Sequence, residues 1–197
     1  MLLLQVPERV ISLNQSLSLN FGIGGQQGSC AFYQPQGRLL ALAKNAGGGS
    51  LAHEWFHAFD HYICSKLFTD ELPTTAFASS SWLNNATVSP HPLNTYLDQS
   101  FATLFLSATG TEPNSYVKTS AAFDQSHGIY YYAKPEELAA RAFEHMLQQQ
   151  RLKNSFLVSG TLKSKAAKAG LYPDPALSAV LAQHWLGYFS LLGRALS

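Results

Sequence analysis

Charge is scarce in this sequence. Asp, Glu, Lys and Arg make up 13% of its 197 residues, about half the usual share. The 13 basic and 12 acidic side chains nearly cancel, leaving a formal net charge of +1. That removes the electrostatic argument for nucleic acid or an anionic membrane as a partner. It suits a chain that leans on a partner surface or belongs to a larger protein. Cysteine is scarce too: Cys30 and Cys64 stand far apart, form no paired metal-ligand spacing, and read as reduced buried thiols rather than a disulfide. Long apolar runs are missing. The opening MLLLQVPERV has no basic stretch and too short an apolar run for a signal peptide or a membrane span, so a cytoplasmic location is expected.

What is present is apolar content, 46% of the chain, enough for one domain with a proper core over residues 1–197. Alternating apolar residues at 9–13 and 17–21 predict short strands. The glycine-rich stretch at 22–28 predicts a loop; no helix pattern or Lys-Ser/Thr comes after it to make it a phosphate cradle. Strand-like runs at 29–33 and 38–43 flank Gln34-Pro35-Gln36-Gly37, whose Pro and Gly suit a turn, so the pair reads as a hairpin. Residues 30–33 are the candidate edge strand, able to pair with an extended peptide.

The hairpin leads into GGGSLAHEWFHAFDHYI at 47–63, which contains H-E-x-x-H as His53, Glu54 and His57. Three glycines permit a sharp entry and Ser50 can cap the first turn of a helix running to about Lys66. Residues four apart share a helix face, so the two imidazoles aim at one point. That suits Zn²⁺, which takes nitrogen and oxygen ligands tetrahedrally and in catalytic sites leaves one position for water. Glu54 can reach that water as general base. Asp60, seven residues after His53, returns to its face within about 20° and could accept an Nδ1–H bond or anchor the helix end. His61 would lie more than about 10 Å along the axis from His53, too far to share the ion.

Residues 67–129 carry Pro73, Pro90, Pro92 and Pro113 among Ser, Asn and Thr, which predicts mostly loop, with one helix near 95–106. Such a stretch reads as an insertion or lid. His91 and His127 fall here as ordinary loop histidines. Farther on, YYYAKPEELAARAFEHMLQQQ begins at Tyr130. Pro135 suits a first helical position, and Glu136 and Glu137 suit the helix dipole. Glu137, Ala140, Arg141 and Glu144 share one face, with Ala139 beside it. Small residues there let another helix approach, and a carboxylate on such a helix could complete a His-His-Glu set. A short basic run at 163–168 reads as a solvated face, and Pro173-Asp174-Pro175 predicts a final helix through Leu192.

These residues resemble a family. HEWFHAFDHY is similar to the H-E-x-G-H-A-x-D-x-Y helix of the anthrax lethal factor-like zinc metallopeptidases, and ELAARAF to their E-x-x-A-x-A-F. The wording A-R-A-F-E after Pro-Glu-Glu more closely resembles the zincin-like domains of large polyvalent proteins of phages and mobile elements. The resemblance implies His53, His57 and Glu137 as zinc ligands and Glu54 as base. It implies a tyrosine that assists the transition state, Tyr130 in ungapped alignment, with Tyr131 and Tyr132 close enough for a shifted one. Glu144 is an alternate ligand or a partner of the ligands. Phe56 departs from the family, which has glycine before its second histidine.

The expectation is therefore an α+β, zincin-like (gluzincin) fold: a small mixed sheet, an active-site helix and a mainly helical second half. The expected function is zinc-dependent hydrolysis of peptide bonds in a peptide or protein substrate. The first alternative is an inactive zincin-like domain of a phage or mobile-element system that binds metal or a protein partner. The second is a helical interaction module in which the motif is accidental.

Overall fold

The computed structural model describes residues 8–22, 31–43, 50–150 and 157–196. Its elements in chain order are α1 (Glu8–Ile11), β1 (Ser18–Phe21), β2 (Ala31–Gln34), β3 (Leu39–Leu42), α2 (Ser50–Leu67), α3 (Ala78–Leu83), α4 (Pro92–Phe105), α5 (Ser115–His127), α6 (Pro135–Gln149), α7 (Lys165–Lys168) and α8 (Pro175–Ala195). The architecture is α+β with a small mixed sheet, as expected. Cys30, the glycine-rich loop after Gly22 and the three glycines before Ser50 fall outside the described residues.

The sheet order is β1-β3-β2, with β1 parallel and β2 antiparallel to β3. The β2–β3 hairpin turns through a 3₁₀ turn at Pro35–Gly37. The left-handed residue that closes it is Arg38 (φ 45°), not the glycine before it. Among the described residues β2 is an edge strand, and both β2 and β3 pack on α2.

Aromatic rings bind the helices together. Phe56 and Phe59 of α2, Phe143 of α6, and Trp185 and Phe189 of α8 form one buried cluster, with Phe56 4.8 Å from Phe143 and 5.1 Å from Trp185 between ring centroids. Phe56, the residue that departs from the family pattern, is thus a core residue. Its position faces α6 and α8, so its bulk fills the interior rather than the site. Ala139, Ala140 and Ala142 are fully buried on α6, and their small side chains let α6 lie closely against α2.

Two sequence expectations change. Residues 9–13 are not a strand: Glu8–Ile11 is a helical turn that leads into left-handed residues at Leu13, Asn14 and Gln15. Val10 and Leu13 are the buried pair, three residues apart, which is a helical rather than a strand spacing. The region 67–129 holds three helices, not mostly loop. Its punctuating residues start helices instead of ending them: Pro92 lies in the first turn of α4, and Asn114 caps α5 by accepting from the Val117 N–H at 3.0 Å. Leu97, Phe101, Leu104 and Phe105 of α4 are buried, and α4 packs along α8. His91 is the cap of α4, accepting from the Leu93 N–H, and His127 bonds within the last turn of α5. The final helix starts as expected, with Asp174 accepting from the Leu177 N–H at 2.8 Å. Among the described residues no helix is long and apolar enough to cross a membrane.

Asp60 joins α2 to α3. Its carboxylate, 1% exposed, accepts from the Ser79 N–H at 2.8 Å and the Ser79 hydroxyl at 2.5 Å. It therefore does not hold an imidazole, and the Nδ1–H role expected for it is not what these bonds serve. Burial pushes its pKa up to about 6, against the pull of the Ser79 donors. Asp60→Ala, which strands two buried donors, is expected to lower stability by about 2–3 kcal/mol. Asp60→Asn keeps an acceptor for the N–H, avoids a buried charge, and is expected to cost under about 1 kcal/mol. Chemical denaturation of the two variants at neutral pH checks the difference.

Candidate metal centre

The site forms where α6 crosses α2. His53 and His57, one turn apart, bring their Nε2 atoms to 3.2 Å. Glu137, in the first turn of α6, reaches both: Oε2 lies 3.3 Å from His53 Nε2 and Oε1 lies 3.5 Å from His57 Nε2. One ligand atom from each residue can be chosen so that all lie within 4.8 Å of one another. Two distant segments of the chain thus converge on one point, as the sequence spacing and the resemblance expected. The side chains are largely buried, at 14%, 8% and 12% exposure for His53, His57 and Glu137.

Glu144, two turns farther along α6, holds the other side of the same imidazole, with Oε2 3.3 Å from His53 Nδ1. The carboxylate is itself fixed by the Thr161 hydroxyl at 2.6 Å and faced by the Tyr172 hydroxyl at 3.4 Å. Glu144 is therefore a partner of His53 rather than an alternate member of the set. Thr161 and Tyr172 were not anticipated from sequence; no local pattern marks a residue that reaches the site through another side chain.

Burial alone would lower the His53 pKa. The flanking carboxylates of Glu137 and Glu144 outweigh it and carry the group up to about 10. Glu137 is held far below the usual carboxylate range: burial would raise it, but the two imidazoles dominate. The pocket is thus built to gather positive charge. His57 Nδ1 is buried with no hydrogen-bond partner among the described residues, and Glu137 Oε2, also buried, is met by His53 Nε2 at 3.3 Å. A buried carboxylate facing two imidazoles fits a cation between them.

Glu54 sits on the same turn as His53. Burial raises its pKa, opposed by the charge of His53 and His57 and by the backbone of Tyr33 on the β2 edge. Tyr33 also ties that edge to α2 through its hydroxyl, 2.6 Å from His61 Nδ1, while His61 Nε2 lies 2.7 Å from the Thr74 carbonyl. His61 is engaged in this link and stands outside the metal group, as its helical spacing required.

Of the three tyrosines, Tyr130 is 67% exposed and Tyr131 43%. The one beside the site is Tyr131, whose phenol is raised far above its ordinary pKa by partial burial and by the Glu137 carboxylate next to it. The tyrosine nearest Glu137 is thus one residue past the Tyr130 of the ungapped alignment, in an irregular segment after α5 whose phase no periodic pattern sets.

Residues 123–196 match the family described as Large polyvalent protein-associated domain 1. No curated protein and no solved structure matches the chain. The matched segment carries Tyr131, Glu137 and Glu144 but not His53, Glu54 or His57. It agrees with the phage and mobile-element polyvalent-protein context of the sequence resemblance.

In metal-free protein His53 should remain an imidazolium well above neutral pH. Its folded pKa, about 10, exceeds the unfolded value of 6.5. The stability it contributes is therefore full below pH 6.5 and lost as pH rises through about 10. Imidazole NMR of chelator-treated protein checks the titration, and Glu137→Gln should bring the His53 midpoint down by more than one unit.

Proposed function

We propose that this chain is a zinc-dependent metallopeptidase with a zincin-like arrangement, hydrolysing a peptide or protein substrate. The observation that carries the reading is the convergence of His53, His57 and Glu137 with Glu54 on the same helical turn. Two imidazoles and one carboxylate are a donor set of catalytic zinc sites, and the buried Glu137 carboxylate facing both rings fits it. Zn²⁺, when bound, supplies Lewis acidity that makes water nucleophilic near neutral pH and polarises a carbonyl.

The chain's own residues supply the rest. His53, His57 and Glu137 would hold the ion. Glu144 keeps His53 Nδ1 engaged, which leaves Nε2 free to face the centre. Glu54 takes the proton of the attacking water and returns it to the leaving amine; its raised pKa brings it nearer the pH at which such transfer is efficient. The Tyr131 phenol donates to the oxygen that gains charge as the carbonyl is attacked. The β2 edge, adjoining Glu54 through Tyr33, offers main-chain pairing to an extended substrate.

The rival reading, an inactive zincin-like domain that binds metal or a protein partner, draws on the large polyvalent protein match, which fits its context. Metal analysis and one substitution separate the two. Protein purified without chelator is expected to hold about one zinc per chain, lost in His53→Ala and Glu137→Ala. Glu54→Gln is expected to retain zinc while peptide cleavage falls about 10²–10⁴-fold. Retained zinc with no cleavage by the parent chain against a peptide library would favour the binding domain, and absent zinc would end the peptidase reading and the metal-binding form of its rival.

A further inference from the structure

The segment that delivers Tyr131 has no regular structure of its own, yet it is held at three consecutive residues. The α5 helix ends at Gly128, whose left-handed φ of 64° turns the chain back. Asp124, one turn earlier and 3% exposed, then receives the backbone of the tyrosine run. Its Oδ2 accepts from the Tyr131 N–H at 2.9 Å and the Ala133 N–H at 2.8 Å, and its Oδ1 from the Tyr132 N–H at 3.1 Å. Such charge-assisted bonds are the strong kind, and three of them on one carboxylate fix the phase of the backbone. From the other side Arg141 of α6 donates to the Tyr132 carbonyl, and its guanidinium lies 5.0 Å from the centre of the Tyr132 ring. Arg141 Nε donates to the Leu171 carbonyl at 3.1 Å, so the clamp is anchored on the element that carries Glu137.

A slip of one residue here would exchange Tyr131 for Tyr130 or Tyr132. We propose that Asp124 is a positioning residue of the metal centre: by gripping three successive backbone N–H groups it selects Tyr131, rather than Tyr130 or Tyr132, to stand against Glu137. This rests on the metal-site reading above. Asp124 touches neither the ligand set nor a substrate in this role; it acts through Tyr131, which orients the third ligand.

The test is a double-mutant cycle on zinc affinity of the whole chain, measured by competition with a chromogenic chelator. Asp124→Asn, whose amide replaces one acceptor by a donor, is expected to weaken zinc about tenfold or more, as loss of an outer partner does. Tyr131→Phe should do the same, Tyr130→Phe should change nothing, and Asp124→Asn should add almost nothing once Tyr131 is Phe. Additive losses, or no loss in Tyr131→Phe, overturn the proposal while leaving the zinc site intact; no zinc binding by the parent chain overturns both. Asp124→Glu, which keeps the charge but displaces it by a methylene, is the second route if the Asn variant does not fold. If neither folds, hydrogen exchange in the parent chain decides together with Tyr131→Phe. Slow amides at 131–133 with weakened zinc in that variant support the clamp, and fast ones refute it.

Discussion

One imidazole held between two carboxylates is the contact on which the rest depends. His53 meets Glu137 at Nε2 and Glu144 at Nδ1, and both glutamates belong to α6. They are about two turns of helix apart, so one straight element presents both to the same ring. The arrangement ties α2 to α6 electrostatically, at the point where burial would otherwise make a charged histidine unfavourable. It also fixes which nitrogen faces the centre.

That contact requires close packing behind it. Ala139, Ala140 and Ala142 remove bulk from α6, while Phe56, Phe143 and Trp185 form the hydrophobic body that keeps the two helices at that separation. The same alternation of small and aromatic residues explains why Phe56 can stand where the similar family has glycine. The position turns into the core, so its size is absorbed by the α6–α8 side and leaves the imidazoles undisturbed. Asp60, which lies on α2, serves this scaffold as well, by holding α3 rather than a ring.

Much of this was legible as pattern. The H-E-x-x-H spacing, the proline and glutamates opening α6, the hairpin and the capped final helix all obey rules that operate within a few residues. Where reading failed, the cause was the range of the interaction. Residues 9–13 look alternating, yet the burial of Val10 and Leu13 against the helices makes a turn of helix there. Prolines and asparagines at 90–114 read as breakers, but the packing of α4 along α8 made them starts. The tyrosine run has no period at all, so its register depended on Asp124, a residue that no local pattern singles out.

The sequence by itself determined that His53 and His57 share a face and that Glu137 opens a helix, because helical geometry converts spacing into direction without help from the rest of the chain. Only the tertiary structure decided that Glu137 meets those imidazoles, that Glu144 takes the far nitrogen, and that Tyr131 is the tyrosine beside them. Each of those is a contact between distant segments, governed by side-chain volume and by where buried donors and acceptors find partners, and neither quantity is local.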